Sequence, residues 1–187
     1  ATAALGCRIV GRFARQLGEL GATRDARGEG LGLRLGGGIV GLVVDIDQDL
    51  ACRGLRHLFA GTGVLGLEAV SRGAASAQLV EAEAGLARAL HGVVGRLGAA
   101  GDIGVHQGDA LAWLRGQPGR FDIAFVDPPF AAGLWEPVLA ALPALLAADA
   151  WLYIESPAEH APALSPEWAL HRENRTRDVR YALYRRV

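Results

Sequence analysis

The chain has 187 residues, 51% of them hydrophobic and 21% charged, enough to bury one sizeable core and too apolar for a disordered segment. Its net charge is −1, and its two cysteines, Cys7 and Cys52, form no CxxC; this excludes a disulfide scaffold and a cysteine-based zinc site and predicts a reducing, cytoplasmic setting. No apolar run approaches a membrane span and no charged-then-apolar leader opens the chain, so neither a span nor a signal peptide is expected.

The charge is unevenly spread. All 19 basic residues are Arg. Residues 1–56 carry eight Arg against six acids, residues 57–170 five against twelve, and residues 171–187 six against two. An acidic body thus lies between basic ends, a distribution that suits a phosphate backbone and equally suits solvated termini.

Residues 12–54 are Gly-rich, and their only strand-like run is Ile39–Ile46. From Leu55 the pattern becomes regular. Leu55–Ala60 is a short apolar stretch ending in Gly61-Thr62-Gly63, followed by helical spacing over Val64–Ser71. Ala77–Val80 reads as a strand ending at Glu81, and Gly85–Leu97 as a helix with Gly98 as its C-cap. Ile103–His106 is a strand leading to Gly108-Asp109, and Ala110–Arg115 a short helix. Phe121–Val126 is almost wholly apolar, as in a strand covered on both faces, and runs into Asp127-Pro128-Pro129-Phe130. Trp135–Ala147 reads as a helix, Ala150–Glu155 as a strand, and Arg180–Arg186 as a last strand alternating about Tyr181, Leu183 and Tyr184. Strands alternating with helices predict a doubly wound, Rossmann-like α/β sheet, mostly parallel.

Gly61-Thr62-Gly63-Val64-Leu65-Gly66 is a GxGxxG between a strand and a helix, and Glu81 follows Gly61 by 20 residues. Glycines let a ligand approach the backbone, a helix N-terminus offers free N–H groups, and the acid can accept both ribose hydroxyls. These features predict a nucleoside-containing ligand and fit NAD and S-adenosylmethionine alike. Asp109 either accepts from an adenine amino group or caps the helix that follows.

At Asp127-Pro128-Pro129-Phe130, two prolines stop the strand ladder and leave carbonyls without a partner in the sheet. A carboxylate and such a carbonyl can accept both hydrogens of a planar exocyclic NH₂, while Phe130 stacks on the base, worth about 1–3 kcal/mol. An aromatic amine is a poor nucleophile, and bent acceptance of its hydrogens turns its lone pair toward an electrophile. The competing reading is a rigid strand-to-loop corner. His91, His106, His160 and His171 lack metal-ligand spacing, so no metal site is expected. The four Trp residues read as core or half-buried anchors.

His57-Leu58-Phe59-Ala60-Gly61-Thr62-Gly63-Val64-Leu65-Gly66-Leu67-Glu68-Ala69-Val70-Ser71-Arg72-Gly73-Ala74 resembles the LDLFAGTGALGLEALSRGA block of the RsmD-type 16S ribosomal RNA guanine-N2 methyltransferases, which are class I S-adenosylmethionine-dependent enzymes. Phe121–Phe130 resembles that family's FDLIFLDPPY, Tyr153-Ile154-Glu155 its late YxE strand, and Arg8-Ile9-Val10-Gly11 its opening RIIGG. The resemblance implies methyl transfer from S-adenosyl-L-methionine to N2 of one guanine in 16S rRNA, within a small subunit or an assembly intermediate. It also implies an antiparallel C-terminal strand in the sheet. Ala60, Gly61 and Gly63 would line the methionine part, Glu81 the ribose, and Asp109 with Ala110 the adenine. Asp127 and Pro128 would orient the amine, with Phe130 against a base that has left its stack. Arg8, Arg12 and Arg15 would contact rRNA phosphates. The implied division is an RNA-binding or lid extension over residues 1–54 and a cofactor-binding domain over 55–187.

Three departures from the family pattern stand out. His57 replaces an acid that in the family helps hold the cofactor's amino group, and Val93 replaces an Asn. Residues 12–54 lack the family's RPT…RE…FN segment, through divergence of the lid or a compensated frameshift in a GC-rich gene. Other functions compatible with the residues are methylation of DNA adenine or cytosine or of a protein glutamine, a non-catalytic RNA-binding or ribosome-assembly role, and NAD-dependent oxidoreduction. The last leaves Asp127–Phe130 unexplained.

Overall fold

The computed structural model describes residues 22–24, 31–35, 38–40, 54–71, 74–117 and 119–187. Strands β1 (Ala22–Arg24), β2 (Leu31–Leu35) and β3 (Gly38–Val40) form a small antiparallel sheet, with Leu33 paired to Ala22 on one side and Val40 on the other. The rest of the strand-like run Ile39–Ile46 lies outside the described residues, as do Arg8, Arg12 and Arg15.

The main sheet has seven strands: β4 (Gly54–Leu58), β5 (Ser76–Glu81), β6 (Ile103–Gln107), β7 (Phe121–Val126), β8 (Leu146–Pro157), β9 (Trp168–Arg175) and β10 (Val179–Arg186). Their order is β6-β5-β4-β7-β8-β10-β9. The first five are parallel, and β10 runs antiparallel to both β8 and β9. The order reverses beside β4, which is the switch point where doubly wound sheets open a crevice at the carboxyl ends of their strands. This is the expected Rossmann-like class I methyltransferase fold, with its antiparallel C-terminal strand.

Helices α1 (Val64–Ser71) and α2 (Ala84–Leu97) cover one face, and α3 (Ala110–Arg115) and α4 (Trp135–Ala141) the other. The alternation of a strand explains the two cores. Leu55, Ile123, Phe125 and Tyr153 pack with Leu67, Leu90 and Val94, whereas Leu58, Ala124, Val126 and Ile154 pack with Leu114 and Val138. Helix α2 begins one residue earlier than the spacing predicts, because Glu83 accepts from the Gly85 and Leu86 amides at 2.7 Å and fixes the first turn. Leu86 consequently faces solvent, while Ala87, Leu90, Val94 and Leu97 turn inward. Gly98 closes the helix in the left-handed conformation (φ 65°), as expected.

Two expectations need correction. The helix beginning at Trp135 ends at Ala141 rather than Ala147, because Pro143 lacks an N–H and its ring clashes with the preceding turn. A single 3₁₀ turn follows, and β8 starts at Leu146, four residues before the predicted Ala150. Strand β9, not anticipated, sits at the sheet edge with only Trp168 buried. It is held by its ladder to β10 and by Arg180, whose Nε donates to Glu173 at 2.9 Å. Among the described residues no helix is long and apolar enough to cross a membrane.

Packing against the Gly-rich turn is tight. A Cβ on Gly66 would lie 2.3 Å from Leu79 Cδ2, and Leu79 is fully buried. Helix propensity favours Ala over Gly by about 0.5–1 kcal/mol, but overpacking costs about 1–3 kcal/mol. Gly66→Ala is therefore expected to lower stability in urea denaturation; an unchanged or raised midpoint would mean that Leu79 yields.

Candidate active site at the carboxyl edge of the sheet

Register brings the predicted residues to one edge. Leu58 pairs with Val80 and Val126, Val126 pairs with Ile154, and Glu81 pairs with Gln107. The segments that leave these strands therefore emerge side by side. Phe59–Gly63 follows β4, Glu81 ends β5, Asp109 follows β6, and Asp127 follows β7.

The turn after β4 is sharply bent. Phe59, Gly61 and Gly63 adopt φ of 67°, 53° and 75°, and for Phe59 that conformation is strained. The Ala60 amide bonds the Val80 carbonyl at 2.8 Å, and the Gly63 amide the Ala60 carbonyl at 2.7 Å. Glu81 ties the crevice together: its Oε2 accepts the Gly61 amide at 2.7 Å and its Oε1 the Glu83 amide at 2.8 Å. A side chain at Gly63 would strike Leu90 at 2.3 Å, whereas among the described residues nothing lies within 4 Å of a Cβ built on Gly61 or Gly108. Gly63 thus packs inward, while Gly61 and Gly108 border open space beside the Glu81 carboxylate. That cradle has room and an acceptor for a nucleoside.

Asp109 caps α3, accepting the Ala112 amide at 2.8 Å through Oδ1, so the capping alternative is realised. Oδ2 takes no part in that bond. Ala110 is buried at the start of α3 among the core residues.

Asp127 is half-buried, Pro128 buried, and Pro129 and Phe130 exposed. The Pro129 carbonyl closes a one-turn 3₁₀ helix by accepting the Ala132 amide at 2.9 Å. Phe130 is 39% exposed, its ring tilted against Trp135 at 5.7 Å between centroids. An aromatic ring this accessible beside a carboxylate is available to a flat ligand. Desolvation, and secondarily the Glu155 charge, push the Asp127 carboxyl up to about 7.

Glu155 and Tyr153, both on β8, interact with Asp127 electrostatically, and the sequence alone assigns neither a role. Glu155 accepts the Tyr153 hydroxyl at 2.7 Å, and its carbonyl accepts the Trp135 indole N–H at 2.9 Å. Their sequence signal is an acid near the end of an apolar strand, which gains meaning only once β8 is known to lie beside β7.

His57 is a core group: 3% exposed, set edge-on to Phe125 at 5.7 Å, with Nδ1 buried and unpaired. Burial lowers its pKa to about 4, so the ring is neutral. Val93 is half-buried on α2. Among the described residues no cluster of His, Cys, Asp and Glu could hold a metal ion.

The sequence profile described as Conserved hypothetical protein 95 matches residues 47–185. Escherichia coli K12 Ribosomal RNA small subunit methyltransferase D is 40% identical over 131 residues, 68% of this chain and 66% of that protein. The match thus spans just under two thirds of that relative's length. A Buchnera aphidicola protein of the same name is 32% identical over 137 residues, covering 69% of this chain and 67% of its own. Among solved structures, the Escherichia coli protein yhhF, described as a methyltransferase, superposes with TM-score 0.67 at 38% identity, covering 72% of this chain and 75% of that one. A Haemophilus influenzae protein described as a methylase gives 0.68 at 28% identity, covering 74% and 89%. Fold and crevice define the class I methyltransferase architecture. Within it, the chain belongs to the RsmD-type family.

Asp127 and His57 make opposite contributions to stability. Asp127, raised from 3.8 to about 7, holds its proton more tightly when folded, so stability falls as pH rises across that window. His57, lowered from 6.5 to about 4, binds its proton less tightly when folded, so stability falls as pH drops across its window. Asp127→Asn is expected to raise stability above pH 7 relative to the parent and leave the acid side unchanged in urea titrations. Equal urea midpoints at high pH would show that Asp127 carries no burial penalty.

Proposed function

We propose that this chain transfers a methyl group from S-adenosylmethionine to the exocyclic N2 of a specific guanine in 16S rRNA. The observation that carries the reading is the half-buried Asp127, followed by Pro128, Pro129 and exposed Phe130, at the same sheet edge as the Gly61 cradle and Glu81. When bound, S-adenosylmethionine supplies an already activated sulfonium methyl, so the protein chiefly has to align a weak nucleophile.

In this reading Glu81 accepts the ribose hydroxyls, exchanging bonds it now makes to backbone amides. Ala60, Gly61 and Gly63 line the methionine part, and Asp109 with Ala110 borders the adenine. Asp127 and the Pro128 carbonyl accept the two amine hydrogens, and Phe130 stacks on the extruded base. The ionised form of Asp127 is the useful one, because a protonated carboxyl would donate to the amine's lone pair and occupy it. Arg8, Arg12 and Arg15, within the proposed RNA-binding extension over residues 1–54, contact rRNA phosphates. The domain over 55–187 does the chemistry, in the cytoplasm and on a small subunit or its assembly intermediate. His57, neutral and in the core, supplies no carboxylate to the cofactor's ammonium, so that end of the cofactor relies on the backbone of the turn.

The test is methyl transfer from labelled S-adenosylmethionine to unmethylated small subunits and to naked 16S rRNA, with calorimetry of cofactor binding alongside. Asp127→Ala is expected to reduce turnover by at least about 100-fold and to leave cofactor binding intact. Loss of both would remove Asp127 from its assigned role. Glu81→Ala is expected to weaken cofactor binding about 10- to 100-fold, as loss of a charged hydrogen bond does. Unchanged affinity would exclude Glu81 as the ribose acceptor. Binding of NADH in place of S-adenosylmethionine would return the chain to the oxidoreductases.

A further inference from the structure

Glu155 has no part in the reaction as derived so far, yet the fold brings it beside Asp127. Val126 on β7 pairs in parallel with Ile154 on β8, so the next residues along the two strands are Asp127 and Glu155. Glu155 is fixed from three sides. Its backbone pairs with Tyr181 of β10, its carbonyl accepts the Trp135 indole N–H at 2.9 Å, and its Oε1 accepts the Tyr153 hydroxyl at 2.7 Å. Trp135 also flanks Phe130 at 5.7 Å, so one side chain braces both Glu155 and the exposed ring. Two neighbouring carboxylates in a half-buried site resist being ionised together.

Resting on the methyl-transfer reading, we propose that Glu155 is a positioning residue for that reaction: its charge, pinned by Tyr153 beside Asp127, governs when Asp127 is free to accept hydrogens from the target amine. Among the described residues, the surroundings of Asp127 offer few other charges to do this. Tyr153 and Glu155 face it from β8, and Tyr181 of β10 acts on Tyr153. On β4, the row containing Phe125 holds His57, neutral above about pH 4. On α4, Glu136 is exposed. Burial raises the Asp127 carboxyl first and Glu155 raises it further, to about 7; burial also raises the Glu155 carboxyl, and the Tyr153 hydroxyl opposes that rise by favouring its charged form. Asp127 is thereby half-ionised near neutral pH, where small changes at Glu155 alter its readiness most.

The test uses Glu155→Gln, which keeps an oxygen for Tyr153 and removes the charge. It also uses Tyr153→Phe, which removes the bond favouring that charge. In the cofactor-free intact chain, the ¹³C-detected titration midpoint of the Asp127 carboxyl is expected to fall by roughly one pH unit in Glu155→Gln, with a smaller fall in Tyr153→Phe. The acid limb of kcat/KM on small subunits is expected to move the same way. An unmoved carboxyl midpoint in both variants, or loss of activity at every pH with an unmoved limb, would overturn the proposal. The carboxyl titration needs no RNA and no cofactor. Its failure is therefore distinct from failure of the methyl-transfer reading, which the Asp127→Ala turnover tests.

Discussion

The register of four parallel strands governs everything at the site. Leu58 sits level with Val80 and Val126, and Val126 with Ile154, so three chain segments leave the sheet at one height while β8 runs on beside β10. Each strand contributes one element: the bent turn after β4, Glu81 after the β5 core, Asp127 after β7, and Glu155 near the end of β8. A slip of one residue in any ladder would turn the proposed site side chain onto the opposite face, toward the other core. The register is held because both faces of these strands are buried, with Leu55 and Phe125 on one side and Leu58 and Val126 on the other. The hydrophobic cores thus determine where the polar groups stand.

The same edge concentrates unfavourable features that the cores must offset. Phe59 is held at φ 67°, Asp127 is ionised with difficulty, and His57 keeps Nδ1 buried and unpaired. Strain of this kind persists where surrounding structure over-determines it. Here the ladder on both sides of β4 and the Gly63–Leu90 contact do so. In the proposed mechanism the penalty at Asp127 has a use, because a carboxylate poorly solvated by water is a stronger acceptor for the amine.

Much of the frame was legible in the sequence because each element declared itself locally. Phe121–Val126 is an unbroken apolar run closed by prolines, and Ala110–Arg115 opens on a capping acid; both have the expected bounds. Trp135–Ala147 misled because its apolar pattern runs through Pro143, whose backbone chemistry outweighs the periodicity. Strand β9 was invisible for the opposite reason. At the sheet edge every residue after Trp168 is exposed, and from His171 on all are polar, so no alternation marks it and only the ladder to β10 defines it. At the site, Gly61, Glu81, Asp109 and Asp127 could each be found from a strand end and the turn after it. The pairing of Asp127 with Glu155 could not, since it depends on which strand lies beside β7.

The central claim is that one guanine N2 in small-subunit rRNA is the acceptor. A modification map of 16S rRNA from cells with and without the gene tests it most directly. The expected result is loss of a single N2-methylguanine on deletion, restored by the parent gene and not by Asp127→Ala. An unchanged map, or loss of a methyl group from adenine or cytosine instead, would contradict the account.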